Sequence, residues 1–170
     1  MIQGTILVMK QTDIAYLAGV MDSDGSITIG VDKWHTRKDG TARTPRFFEI
    51  ITVRQCEPEA VYLLQELFGG NITKGKPGSK NGRPSYNWVM YNIKACEVIR
   101  VLLPYLRIKR KQAELVLALR AIKDRGRKAN CEFTGVVSER KGKFGQTTTY
   151  REVATKPSVL AEYKAIVMQV

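Results

Sequence analysis

The chain is 170 residues long, 44% apolar and 26% charged, which is enough for one domain with a real core and too hydrophobic for disorder throughout. Its 28 Lys and Arg against 16 Asp and Glu leave a net charge of +12, which predicts attraction to a polyanion, with nucleic acid ahead of an anionic membrane surface or an acidic protein. One histidine, His35, and three scattered cysteines, Cys56, Cys96 and Cys131, exclude zinc fingers and a disulfide framework; a histidine-centred hydrolase would have only a residue in a Lys/Arg/Gly-rich loop.

In chain order, the N-terminal MIQGTILVMKQTD has a short apolar run with neither a basic region before it nor a small-residue cleavage site, so it does not read as a signal peptide. Thr12 or Asp13 can cap a helix through TDIAYLAGVMDSD, with Gly25 as a left-handed stop. The run 26–34 then alternates, Ile27, Ile29 and Val31 on one face and Thr28, Gly30 and Asp32 on the other, as a half-buried strand does. A basic turn leads to a second strand at 46–55, where Phe47, Ile51 and Val53 oppose Thr52 and Arg54 and where Phe48, Glu49 and Ile50 blur the register. Pro58 opens a helix ending at Gly69-Gly70, with Val61, Leu64, Leu67 and Phe68 along one side. NITKGK and SYNWVMY, joined by a long Gly-rich connection, read as a second hairpin, with Tyr86, Trp88 and Met90 toward the core. Asn92 can cap a helix to Leu103, Pro104 breaks it, and residues 106–125 form the strongest helix, apolar at Ile108, Leu115, Leu119 and Ile122. Periodicity is poor from Gly126 to Lys156, which predicts loops, and Pro157 opens a last helix with Leu160, Tyr163 and Val167 on one face. No apolar run reaches the roughly 18 residues of a membrane span.

This order predicts an α+β fold, an antiparallel sheet covered by helices on one face. The other face carries Thr, Arg, Asn, Lys and Ser; it can track a nucleic-acid groove, or be polar only because it is solvated.

The stretch LAGVMDSDGS, 17–26, is the most informative. Ala15, Ala18, Gly19 and Asp22 lie at helical spacing, so one face presents almost no side chain and another helix can approach closely. Glycine inside a helix costs about 1 kcal/mol relative to alanine, and such an approach would offset it. Asp22 and Asp24 fall at the C-terminal end of that helix, where the macrodipole disfavours carboxylates unless a cation is present. Carboxylate and carbonyl oxygens suit a hard ion such as Mg²⁺. The plain alternative is an Asp-Gly turn with capping or lysine-paired acids.

LAGVMDSDGS closely resembles the motif of the LAGLIDADG homing endonucleases, matching at Leu17, Ala18, Gly19, Asp22, Asp24 and Gly25, and PYLRIKRKQAELVL (104–117) resembles the stretch around that family's conserved basic residue. The resemblance covers about residues 12–122 and includes one copy of the motif. It implies the αββαββα homing-endonuclease fold with a saddle-shaped sheet, in a single domain over 1–170 whose core spans about 12–125 and whose C-terminal loops and helix take up 126–170. One motif per chain implies a homodimer, with Ala15, Ala18, Gly19 and Asp22 at the interface. Asp24 is then the metal ligand of each subunit, joined by the Ser23 carbonyl. Gln55 matches the polar residue that organises water near the metal, and Lys109 the basic residue near the scissile phosphate. The family often has a second basic residue a few positions after the glutamine; here CEPE follows, and Arg54 is the available substitute.

The implied reaction is hydrolysis of both strands of a DNA duplex with Mg²⁺, for which Ca²⁺ or Mn²⁺ can stand in within crystals, at long, nearly palindromic sites. It promotes homing of the intron or intein that encodes the protein, inside a prokaryotic cell or in an organelle or nucleus. Expected base readers are Thr28, Asp32, Trp34, Arg46, Thr52 and Arg54 from the first hairpin and Thr73, Lys76, Ser85 and Asn87 from the second. Arg37, Lys38, Lys80 and Arg83, with Lys141 and Lys143 farther on, are expected at phosphates. The rival functions are an RNA-splicing maturase and a non-catalytic DNA-binding regulator on the same fold.

Overall fold

Helix α1 (Gln11–Asp24) runs directly into strand β1 (Gly25–Asp32). The junction differs from the left-handed stop expected at Gly25, which is extended at φ −86°, ψ 170°. Glycine is needed there for space: a Cβ would lie 2.3 Å from the Met21 sulfur and 2.7 Å from its carbonyl oxygen. At the other end Lys10 holds the cap position without a side-chain bond, so Thr12 and Asp13 lie within the first turn rather than capping it.

The computed structural model describes residues 9–32, 45–77, 82–141 and 147–170. Strand β2 (Arg46–Gln55), helix α2 (Glu59–Phe68), strands β3 (Asn71–Gly75) and β4 (Ser85–Tyr91), and helices α3 (Asn92–Leu102) and α4 (Arg110–Asp124) follow. The four strands form one antiparallel sheet in the order β1-β2-β4-β3, the αββαββα arrangement expected. Alternation decides which face is covered: Ile27, Ile29, Phe47, Ile51, Val53, Trp88 and Met90 point to the helices and are buried. Leu17, Met21, Leu64, Ile99, Leu102 and Leu119 meet them from α1 to α4. Trp88, fully buried, donates its indole N–H to the Gly69 carbonyl at 2.7 Å, so its polar atom is satisfied under α2.

Three local expectations change. Asn92 is the first residue of α3, at φ +58°, and Tyr91 takes the cap position. The apolar face of α4 is Ala113, Val116, Leu119 and Ile122, while Ile108 lies before the helix and is 73% exposed. The described residues of 126–156 are largely not loops: a short helix α5 (Arg127–Asn130) leads into strands β5 (Cys131–Lys141) and β6 (Thr147–Thr155), an antiparallel pair of its own. A register shift between Phe133 and Val137, with Gly135 at φ +83°, breaks the two-residue period that would have marked a strand. Helix α6 (Pro157–Val167) packs back on α4 through Val159 and Tyr163. Asn130 joins the parts, its side-chain amide donating to the Ile122 carbonyl at 2.7 Å and its backbone carbonyl accepting from the Lys156 N–H at 2.9 Å.

Glu49 is the one acid in the sheet interior among the described residues. The register turns it inward, 0% exposed, and Lys123 of α4 meets it at 2.9 Å with Arg120 at 3.7 Å. The Lys123 ammonium also donates to the Phe47 carbonyl at 3.0 Å, so the C-terminal half of α4 is fastened to β2.

Candidate catalytic end and nucleic-acid interface

The pairing of Gly25 with Val53 carries the last residue of α1 and the last residue of β2 to the same end of the sheet. There the Gln55 side-chain amide donates to the Asp24 carboxylate at 2.8 Å. Lys109 arrives from the turn before α4, and its ammonium donates to the Asp22 carbonyl, two residues before Asp24. Asp22 fixes that turn: its carboxylate accepts the backbone N–H groups of Arg107 at 2.7 Å, Ile108 at 3.2 Å and Lys109 at 2.9 Å. Partial burial alone would raise the Asp22 carboxyl, but these three donors, with the Lys109 ammonium, outweigh it and hold the group below its ordinary value. Asp24, Gln55 and Lys109, far apart in sequence, therefore share one locus. The hydroxyl of Ser23 turns back to the Val20 carbonyl at 3.2 Å, leaving its own carbonyl at the exposed C-terminal end of α1.

An open hollow beside this locus is lined by Asp24, Arg54, Gln55, Cys56, Glu57 and Arg83. Arg54 donates twice to the Ser85 hydroxyl, at 3.1 and 3.0 Å, across the sheet's open face. Arg83 pairs with Glu57 at 2.7 Å, which places it at this same end of the sheet; composition suggested only a loop contact to phosphates. Thus two guanidiniums flank Asp24 and Gln55 where the sequence offered no second basic residue after the glutamine.

Register also settles the open face. Asp32 lies opposite Arg46, Ser26 opposite Thr52, Arg54 opposite Asn87, and Asn87 opposite Thr73. Thr28, Asp32, Arg46, Thr52, Arg54, Thr73, Ser85 and Asn87 thus share the face away from the helices, and Lys76 is exposed just beyond β3. Sequence reading missed that Phe48, Ile50 and Tyr91 share it too, because a solvated face is expected to be polar. Trp34, Arg37, Lys38, Lys80 and Lys143 lie outside the described residues, and Lys141 is the last residue of β5.

No protein-family model and no curated protein matches the chain; the likeness is to solved structures. The homing endonuclease I-CvuI, solved on the I-CreI target with 2 mM Mg and the DNA not cleaved, is 26% identical, with a TM-score of 0.50, over 65% of this chain and 67% of that one. I-CvuI on its own target with Ca aligns over 94% of this chain and 80% of that one, at 22% identity and a TM-score of 0.58. The LAGLIDADG homing endonuclease I-GzeII, in complex with a DNA target, aligns over 91% of this chain but 43% of its own, at 14% identity and a TM-score of 0.55. These likenesses show the fold that the element order of the chain describes.

The chain has the fold of the homing endonucleases.

Helix α1 divides its small residues between two faces. Ala15 and Gly19 are exposed and, with Asp22, line a shallow hollow against Pro104, Tyr105, Leu106, Arg107 and Arg110. Ala18 is 0% exposed and faces the chain's own core, which corrects its assignment to an interface: the motif's Leu-Ala pair packs inward while the glycine faces out. Asp22 is half-buried, with its carboxylate committed to the turn before α4 of the same chain.

Proposed function

We propose that the protein is a homodimeric, Mg²⁺-dependent endonuclease that cuts both strands of a DNA duplex at a long, nearly palindromic site and so promotes homing of its encoding element. The observation that carries this reading is the Asp24–Gln55 hydrogen bond at the exposed end of α1, with Lys109 anchored two residues away. A regulator that only bound DNA would have no use for an acid held at a helix C-terminus against its own dipole. The overall +12 charge and the polar open face of the sheet supply the attraction and the surface for a duplex.

The donor set fits a hard divalent ion. Asp24 is exposed, takes one hydrogen bond from Gln55 among the described residues, and adjoins the Ser23 carbonyl. In the homodimer, Asp24 of each copy would contribute to a shared ligand set. A bound divalent ion supplies positive charge against the scissile phosphodiester and its leaving oxygen. Gln55 orients the Asp24 carboxylate and presents its remaining polar atom to water. Lys109 places a positive charge beside the phosphate, and Arg54 and Arg83 line the approach. The place of action is then wherever the target DNA resides inside the cell; among the described residues no helix is long and apolar enough to cross a membrane.

Asp24→Asn is the deciding variant. Cleavage of a target-bearing plasmid in Mg²⁺ should fall by about two orders of magnitude or more, because the charge that neutralises the metal is gone. Duplex affinity in Ca²⁺ should persist. Undiminished cutting by Asp24→Asn would remove Asp24 from the metal site.

A further inference from the structure

Phe48, Ile50 and Tyr91 form an apolar strip on a sheet face that, apart from Val89 opposite Thr52, is otherwise polar or glycine. Ile50 lies opposite both Thr28 and Tyr91, one row nearer the catalytic end than the Gly30–Phe48 pair. The Phe48 and Tyr91 rings are 6.2 Å apart. Gly30 makes room for the strip: a Cβ there would fall 2.4 Å from the Phe48 ring and 2.8 Å from Ile50. Tyr91 remains 45% exposed, and Phe48 and Ile50 are part-exposed. Solvated sheet faces alternate to polar residues, so an apolar row here needs an occupant.

We infer that this strip reads thymine methyl groups in the major groove of each half-site. The inference rests on the proposed endonuclease function, since the strip is continuous with the face that would lie on the duplex. The 5-methyl of thymine is the one apolar group that a base edge offers there, and apolar side chains are its recognised partners. A fold that wanted only polar readout would gain nothing from an isoleucine and a phenylalanine between Thr28, Thr52 and Arg46. RNA, with uracil in place of thymine, lacks the methyl, so the strip also favours DNA over an intron transcript.

Strand rise fixes where the methyls belong. From Asp24 to the Thr28–Ile50 row is four residues, ~13 Å, and to the Gly30–Phe48 row six residues, ~20 Å. At ~3.4 Å per base pair this corresponds to roughly four to six pairs outward from the cleavage position in each half-site.

The test starts from cut products of a randomised duplex library in Mg²⁺. Their consensus should contain thymine, on either strand, at those outward positions. Deoxyuridine is then placed there without changing any hydrogen-bonding group. One buried methyl corresponds to roughly a fourfold change in Kd, so two half-sites should lose about fifteenfold. Ile50→Ser, which leaves no methyl to meet the base, should bind the thymine duplex and one with deoxyuridine at the position facing the Thr28–Ile50 row within about twofold of each other. Because the methyl is removed from the DNA, the first comparison is independent of how any variant folds. A duplex cut equally well with thymine or deoxyuridine, or a consensus indifferent to thymine at those positions, overturns the strip's role while leaving the endonuclease reading intact. A library that yields no cut product, although the protein is folded, overturns both.

Discussion

Asp22 is a carboxylate between opposing influences. Its partial burial favours the neutral acid, while three backbone N–H groups and the Lys109 ammonium favour the anion and prevail. A group depressed in this way contributes stability that is fully present above its unfolded value and is lost as pH falls through its lower folded value. Acid titration of stability should therefore show a loss below the ordinary carboxylate value of 3.8, and Asp22→Asn should flatten that part of the curve while lowering stability near neutral pH. An unchanged acid slope in the variant would show that the clamp on the α4 turn contributes nothing. Thiol chemistry gives a second residue-scale expectation. Burial, then the nearby Glu49 charge, pushes the Cys96 thiol up to about 11, whereas Cys56 is exposed in the hollow beside Asp24. Iodoacetamide followed by peptide mapping should mark Cys56 in the native protein and Cys96 only after unfolding, with a bound duplex slowing the reaction at Cys56. Rapid native alkylation of Cys96 would contradict the packing around α3.

Helix α4 carries Lys109 at one end and the Glu49 partners toward the other, so its anchorage bears on both stability and the site. Removing one member of a buried ion pair strands the other, at a cost of about 3–5 kcal/mol, while replacing the pair with apolar groups is often neutral. Lys123→Met should cost the lower end of that range, since Arg120 still faces Glu49 at 3.7 Å, and Glu49→Leu with Lys123→Met should recover most of it. Urea unfolding of the two variants checks this; a cost below about 0.5 kcal/mol for Lys123→Met would mean that solvent already carries the charge. No sequence pattern announced this pair. A glutamate in a strand reads as an outward residue, and only the pairing of Ile29 with Glu49 shows that it points to the core. The antiparallel sheet and the chain order of its elements were legible because alternation in β1, β2 and β4 is strong and the motif fixes α1. The β5–β6 hairpin was not, because its register shift hides the two-residue period and Thr, Lys and Arg there resemble a loop. At the candidate site, Asp24, Gln55 and Lys109 were named through the resemblance and lie at one end of the sheet, whereas Arg83 reaches the hollow through a loop path that no local pattern encodes.

At the scale of the whole molecule, what distinguishes a lone chain from half of a dimer is the exposed face of α1. A Cβ at Gly19 meets no atom within 4 Å in the single chain. If that face stayed in water, Gly19→Ala should therefore stabilise the protein by about 1 kcal/mol, the ordinary gain of alanine over glycine in a helix. If two copies of α1 cross there, the same methyl enters the space between backbones, and a larger side chain separates them. The dimer reading thus requires Gly19→Leu to sediment at the mass of one chain and to lose double-strand cutting. Its fold should be intact by circular dichroism, because nothing within the chain opposes the side chain. Site assembly follows the same logic: with one Asp24 per chain, the Gly19→Leu monomer should bind Ca²⁺ far more weakly than the parent even at saturating duplex. A Gly19→Leu protein that sediments at twice the chain mass and still cuts both strands would place the dimer contact on another face, and the metal ligands with it.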